Sequence, residues 1–388
     1  MPGLRPLSRT LSSLPSGVKP PHRKHAGISR LPTLRLPPAL SQAVQLYLAK
    51  HPIPRLRESC RELGNYLWSR KRPVEDRELR VRAAEVETRV RERVSERERG
   101  PASGKRFDEE TQESAIKREV LKELRRCTYR WIPISYEPQI SSIYLATRVD
   151  GGYAAITRVL HEIKKRVPEF QPRTLLDFGS GTGTVTWASR LLWGDSLSEF
   201  VCVDSSPSMH KVAEFLQGED QEILRRIYFR HFLPVSPKVQ FDVTVSAYSL
   251  SELPSLADRL RVVQTLWRKT QQFMVLVENG TREGHKILLE ARNTVLNELS
   301  EDKTAYIFAP CPHDLTCPKT AEKIPSPCNF QQSYHPLPFS WNRDVHTECF
   351  SYLVIRRFPR EGGSEGGRRE GVRRRGTLNL LCSLSVSV

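Results

Sequence analysis

Not one acidic residue occurs in the first 57 positions, and no apolar run approaches the ~20 residues that a membrane-spanning helix needs. The second absence leaves no candidate transmembrane helix. The leader also has no apolar stretch of its own, which argues against a secretory signal. Without a secretory route, the eight cysteines (60, 127, 202, 311, 317, 328, 349 and 382) are not read as a disulfide scaffold. The acid-free leader is instead rich in Arg, Ser and Pro, with ten Lys or Arg within residues 1–57. That is the composition of a mitochondrial transit peptide, because the matrix-negative potential draws a basic segment inward and acids would oppose it. A basic arm that binds RNA or a membrane surface is the alternative reading.

The formal net charge is +17, but its placement matters. The first 57 residues carry +10 and residues 356–388 carry +5, leaving about +2 for 58–355. An RNA-binding surface on the folded part must therefore arise from local clustering, and composition alone does not establish one.

At 388 residues the chain can hold two domains, or one large domain with appendages. Gln42–Lys50 is a short amphipathic piece broken by Pro52 and Pro54. Residues 73–99 and 108–127 are dense in alternating charge and read as solvated helices; a helical N-terminal domain gripping RNA phosphate is the alternative. Gly100 to Gly104 is a linker, and 144–163 has apolar residues at helical spacing. Strands and helices then alternate: strand Thr174–Phe178, helix from Thr184, strand Phe200–Asp204, helix Met209–Leu216, strand Phe241–Ala247, helix 255–270, strand Phe273–Glu278 and helix 284–299. Alternation of this kind predicts a parallel, doubly wound α/β sheet. From Pro310 the texture turns to Pro, Cys and His without evident secondary structure, Cys349–Arg357 reads as a further strand, and the Gly/Arg-rich remainder is low in complexity.

The first strand runs into Gly179-Ser-Gly181-Thr-Gly183, then a helix. Glycines there let the backbone turn tightly beside a ligand whose negative end meets the helix N-terminus. Asp177 lies inside the motif, and Asp204 closes the next strand 21 residues after Gly183, where an acid accepts hydrogen bonds from ribose hydroxyls. The compact G-x-G-x-G spacing with a preceding acid resembles motif I of the class I S-adenosylmethionine-dependent methyltransferases. That resemblance gives Asp177 the positioning of the loop or of the ligand's methionyl ammonium. The candidate cofactor-binding residues are thus Asp177, Gly179, Gly181, Gly183 and Asp204.

Acceptor chemistry is harder to find. The end of the fourth strand reads Ser246-Ala-Tyr248-Ser-Leu-Ser251-Glu252, without the polar residue and Pro-Pro-aromatic that orient an exocyclic amine. Glu278-Asn279-Gly280-Thr281 supplies no thiolate for attack on a cytosine ring. Glu252 is a candidate base but reads more readily as an exposed residue at a helix start, and no catalytic residue is assigned.

Cys311, Cys317 and Cys328 follow a C-x5-C-x10-C spacing between proline turns. Thiolates so placed suit either zinc, with His313 as a further ligand, or an iron–sulfur cluster.

The runs LLDFGSGTGTVTWASRLLWGDSLSEFVCVDSSPSM, SAYSLSELP, LVENGTREGHKILLEAR and CPHDLTCP resemble a family of mitochondrial small-ribosomal-subunit assembly factors with a class I methyltransferase fold, over about 130–355. The resemblance implies a matrix protein that binds small-subunit rRNA between head and body, and a 4Fe–4S cluster held by four cysteines. Cys311, Cys317 and Cys328 match the first three ligands, with a longer second gap. The fourth lies in a region whose place is taken here by the Gly/Arg-rich tail, and Cys349 and Cys382, the later cysteines, sit in another context. The family also implies S-adenosylmethionine binding that outlasts catalysis.

The expectation is a leader at 1–57, a charged helical region at 58–140, a Rossmann-like S-adenosylmethionine-binding domain at 141–309, a metal-binding insert at 310–348, a further strand at 349–357 and a divergent tail at 358–388. The expected partner is the mitochondrial small ribosomal subunit, its rRNA and proteins. The rivals are an active mitochondrial rRNA base methyltransferase and a small-molecule methyltransferase, the second of which leaves the charged N-terminal region without a role.

Overall fold

The computed structural model describes residues 31–357, apart from 99–108, 219–220, 300–304, 312, 323–325 and 343. Residues 1–30 of the leader, the glycine linker, Cys382 and the tail therefore lie outside the described residues.

The strands foreseen by the apolar pattern are β1 (Thr174–Phe178), β2 (Glu199–Val203), β4 (Phe241–Ala247) and β5 (Thr270–Asn279). They pair in parallel, together with the short β3 (Ile227–Arg230). Beyond β5 come β6 (Ala305–Ala309), β7 (Phe330–Tyr334) and the long β8 (His346–Arg357). β8 runs antiparallel to β5, and the path is β3-β2-β1-β4-β5-β8-β6, with β7 paired to β8. Successive side chains of a strand point to opposite faces. Leu175, Val243, Val245, Val275 and Val277 accordingly enter one apolar core, and Leu176, Met274 and Leu276 enter another. A sheet apolar on both faces must be covered on both.

The first face is covered by α5 (Pro138–Arg166) and α6 (Thr184–Trp193), joined by α7 (Pro207–Leu216). The second is covered by α9 (Leu256–Lys269) and α10 (Arg282–Asn293). Ser206, Ser255 and Thr281 each accept a backbone N–H three residues on, capping α7, α9 and α10 in turn. Between α7 and β3 lies the short α8 (Gln221–Leu224).

Four sequence expectations need adjustment. The segment 31–57, read as part of the leader, is built into the domain. Leu34 N donates to Ser333 O, and α1 (Pro38–Lys50) buries Leu40 and Val44 completely in the first core. Its neighbour α2 (Leu56–Ser69), at the start of the helical region expected at 58–140, packs on α5. The two charged helices, α3 (Asp76–Glu98) and α4 (Glu109–Cys127), pack on each other. They share a small core of Val86, Val90 and Ile116, flanked by Arg91–Glu113 at 2.9 Å. The Cys/Pro-rich insert contributes β7, and the last foreseen helix divides into α10 and a π turn at Thr294–Glu298.

Candidate functional site

The site forms where β1, β2 and β4 end. Gly179 N and Ser180 N both donate to Val203 O, at 2.7 and 3.0 Å, which pins the glycine turn to the end of β2. All three glycines have positive φ: 70° at Gly179, 50° at Gly181 and 78° at Gly183. They need it for different reasons. A Cβ at Gly179 would overlap the Ser249 side chain, whereas one at Gly181 would meet nothing nearer than 3.9 Å. Gly179 is thus fixed by close approach as well as by backbone, and Gly181 by backbone alone.

Asp204 closes β2 and faces the turn. Its Oδ2 accepts from Gly181 N at 2.9 Å and its Oδ1 from Ser206 N at 2.8 Å. A cavity of about 310 Å³ opens beside it, lined among others by Gly179, Gly181, Asp204, Tyr136, Tyr248 and Glu252. Of the five sequence-predicted cofactor residues, Gly179, Gly181 and Asp204 line this cavity. Gly183 starts α6, where a Cβ would touch Ala213 at 3.4 Å. Asp177 lies beneath, fully buried, and neither carboxylate oxygen has a hydrogen-bond partner among the described residues. Burial, then the charge of Asp204, holds its carboxyl well above the ordinary carboxylate range. The adjacent Cys202 thiol is pushed up to about 12 by burial and by Asp177. An orphaned acid beneath a positive-φ glycine cradle, with a second acid at the rim, fits a ligand that carries ribose hydroxyls and a cationic amine.

The opposite wall is built differently. Tyr248, at φ 58°, donates its backbone N–H to Val277 O at 2.7 Å. The Arg148 guanidinium lies 4.5 Å from its ring centre, and its hydroxyl donates to Glu348 Oε1 at 3.3 Å. Arg148 and Glu348 are themselves paired at 3.0 Å, both side chains largely buried. Glu252, expected to be exposed, ends a single 3-10 turn (Leu250–Glu252) and faces the cavity. It accepts from the Tyr136 hydroxyl at 2.5 Å, and burial raises its carboxyl above the ordinary range against the pull of that bond. Glu278 accepts from Ser251 N at 3.2 Å, leaves Oε2 unpartnered, and is pushed up to about 7 by burial. Tyr136, Arg148, Glu278 and Glu348 were not foreseen. The contact of Tyr136 with Glu252 spans 116 residues, and no local pattern signals it.

The three candidate metal ligands Cys311, Cys317 and Cys328 are buried. Cys317 Sγ lies 4.0 Å from His285 Nε2 on α10, Cys328 O accepts from Ser351 Oγ at 2.7 Å, and Cys349 Sγ borders Gly280. His313 O accepts from Arg292, and its ring Nδ1 is buried without a partner among the described residues. Among the described residues, no group of three or more His, Cys, Asp or Glu side chains is gathered to hold a metal ion. No described helix is long and apolar enough to cross a membrane.

Five parallel strands in the order 3-2-1-4-5, an antiparallel strand set between β5 and β6, and a glycine turn after β1 with an acid after β2 define a class I methyltransferase-type, Rossmann-like domain. The family model described as "Mitochondrial small ribosomal subunit Rsm22" matches residues 138–378, and the chain belongs to that family. Its matched span begins at the first residue of α5. Over 374 residues, the chain is 46% identical to the human protein "Ribosome assembly protein METTL17, mitochondrial", covering 92% of this chain and 78% of that one. It is also 25% identical over 250 residues to "Rsm22-cox11 tandem protein 2, mitochondrial" of Schizosaccharomyces pombe, covering 57% of this chain and 32% of that protein. Solved structures with some likeness include a putative RNA methyltransferase from Pyrococcus horikoshii (TM-score 0.33, 13% identity, 53% of this chain and 84% of that one). Another is magnesium protoporphyrin IX methyltransferase from Synechocystis with bound SAH (TM-score 0.34, 13% identity, 61% and 93%). Scores this low carry no argument, and the strand order defines the fold.

Proposed function

We propose that this protein is a mitochondrial small-ribosomal-subunit assembly factor of the matrix, which binds S-adenosylmethionine in the glycine-turn cavity and small-subunit rRNA on its surface, and transfers no methyl group. Its family and the name of its human relative support the assembly role. One contrast carries the rest. On the cofactor side, Gly179, Gly181 and Asp204 line an open cavity above the unpartnered Asp177. On the acceptor side, Tyr248 stands beneath Arg148 and Glu252 is engaged by Tyr136.

When bound, S-adenosylmethionine supplies an electrophilic methyl group on a sulfonium. Asp204 would take the ribose hydroxyls, and Asp177 would lie nearest the cationic amine. Nothing opposite is arranged to orient or deprotonate a base. Glu252, the candidate base, is held by a phenol whose own proton burial and Glu252 make hard to lose. Bound ligand still has a use, because a molecule that binds only the folded state stabilises it by about 2.7 kcal/mol at a hundredfold excess over Kd. No part of this role is routed through a cluster on Cys311, Cys317 and Cys328. The test is calorimetry with S-adenosylmethionine alongside co-sedimentation with immature small subunits. Binding in both supports the proposal. Absence of subunit association removes it.

The rRNA surface is proposed to include the groove between α3, α4 and α10, where Lys71, Arg82, Arg126 and Lys286 outnumber Glu78 and Glu283 around about 330 Å³. Phosphates favour such a groove, and its share of the affinity falls with salt.

A further inference from the structure

We infer that the cavity selects S-adenosylmethionine over S-adenosylhomocysteine by charge, so that its occupancy follows the ratio of methyl donor to spent donor rather than the donor alone. The inference rests on the proposed cofactor site and adds to it a specificity determinant, Glu252.

The charged side chains lining the cavity are Asp204 and Glu252; no lysine or arginine lines it, and His231 is its one imidazole. Behind the wall lie two further buried carboxyls, Asp177 and Glu278, three of whose four oxygens lack a partner among the described residues. These groups sense one another: Asp204 raises Asp177 and Glu252, and Glu252 raises Glu278. Two arginines stand nearby. Arg148 is paired to Glu348 at 3.0 Å. Arg70 donates to Ile132 O at 3.1 Å with its guanidinium 5.1 Å from the Trp131 ring centre, and its charge offsets part of the burial of Glu252 without entering the lining. Among the described residues, the lining therefore carries two carboxylates and no basic side chain but His231, in surroundings of lowered dielectric, where charge interactions are stronger than in water.

The two ligands differ in the property this field reads. The donor carries a sulfonium and an ammonium against one carboxylate, for a net +1. The spent donor has a thioether in place of the sulfonium and is neutral overall. Glu252 and Tyr136 line the same cavity as Asp204, so a ligand with its ribose at Asp204 shares that space with them. A neutral thioether gains little there, and a sulfonium gains an attraction to carboxylates that solvent only partly screens. Most methyltransferases must release the spent donor to turn over; a protein that transfers nothing gains from excluding it throughout.

Calorimetry on the full chain with S-adenosylmethionine, S-adenosylhomocysteine and sinefungin, which carries an ammonium where the donor has its sulfonium, tests this. The expected order is donor and sinefungin each at least about tenfold tighter than S-adenosylhomocysteine, a difference of about 1.4 kcal/mol. Glu252→Gln, which keeps the size and the Tyr136 contact, should narrow that ratio by about threefold. Thermal melts of the variant confirm that it is folded, and the wild-type ranking needs no variant. Equal affinity for the three ligands overturns the inference and leaves the cofactor site standing. Sinefungin binding as weakly as S-adenosylhomocysteine overturns it too, since the methyl group and not the charge would then be recognised. Binding of none overturns both the inference and the cofactor reading beneath it.

Discussion

Arg148 covers the ring of Tyr248 at 4.5 Å and in the same stroke ties helix α5 to strand β8, through Glu348 at 3.0 Å. One side chain thus fixes the aromatic residue at the end of β4, whose ring lines the cavity. Because the pair is buried, removing one partner leaves an uncompensated charge. Glu348→Ala is expected to cost about 3–5 kcal/mol in urea unfolding. Glu348→Gln, which keeps an acceptor for the Tyr248 hydroxyl, should cost less. Equal and small losses for both would show that Asn279, whose Oδ1 also accepts from Arg148 at 3.3 Å, is partner enough.

The glycine turn separates backbone strain from close approach. Gly181→Ala meets open space and should cost only the left-handed strain, about 1–2 kcal/mol. Gly179→Ala adds an overlap with Ser249 and should cost clearly more. Ser249→Gly in the same chain should recover part of the difference. Identical melting temperatures for the two single variants would contradict this geometry.

Asp204 is predicted to be the ribose acid. Asp204→Ala should weaken S-adenosylmethionine binding more than tenfold, given about 1.5–3 kcal/mol for hydrogen bonds to a charged group. Since Asp204 also holds Gly181 N and Ser206 N, Asp204→Asn is the control that keeps the size of the side chain. Unchanged calorimetric affinity in both variants would remove the role.

Glu278 makes stability depend on pH in an unusual direction. Its folded-state value lies at about 7, above the ordinary 4.5, so the folded chain holds the proton more tightly than the unfolded chain. The stabilisation is complete below about pH 4.5 and is lost as pH rises through 7. Over that window it amounts to about 3 kcal/mol, at 1.36 kcal/mol for each unit of pKa. Glu278→Gln should therefore flatten the melting temperature between pH 5.5 and 8, relative to the parent. Parallel curves would place the titration elsewhere.

The cysteines of the insert have their own measurement. Cys311, Cys317 and Cys328 are buried in the fold. A 4Fe–4S cluster held by these three thiolates and a weak fourth ligand is expected to form on anaerobic reconstitution and to be lost on exposure to oxygen. Four iron and four sulfide per chain, lost in Cys317→Ser, would establish the cluster, and one equivalent of zinc would assign the thiolates to a different metal.

Much of the domain could be read from residues alone, because its physics is local. Thr174–Phe178 and Phe241–Ala247 are apolar runs buried on both faces, and their observed bounds match the pattern. The glycine spacing and Asp204 announced the turn before any contact was known. What escaped has little apolar signal or depends on distant partners. Ile227–Arg230 is a four-residue strand carried by pairing with β2, and Phe330–Tyr334 owes its strand to β8. The burial of Glu252 comes from Tyr136, and the covering of Tyr248 from Arg148, more than a hundred and about a hundred residues away. Residues 31–57 looked like leader because basic composition says nothing of Leu40 and Val44, which sit in the core.

The central claim is that this cavity binds a methyl donor and passes nothing on. The most direct measurement incubates the purified full chain with S-adenosylmethionine labelled on its methyl group and immature mitochondrial small subunits, then counts label in the rRNA and protein while calorimetry reports cofactor binding to the same preparation. The account predicts saturable binding with no label above that of an Asp204→Ala control. Label accumulating in small-subunit rRNA, and lost in Glu252→Gln, would contradict it and make the protein an active rRNA methyltransferase.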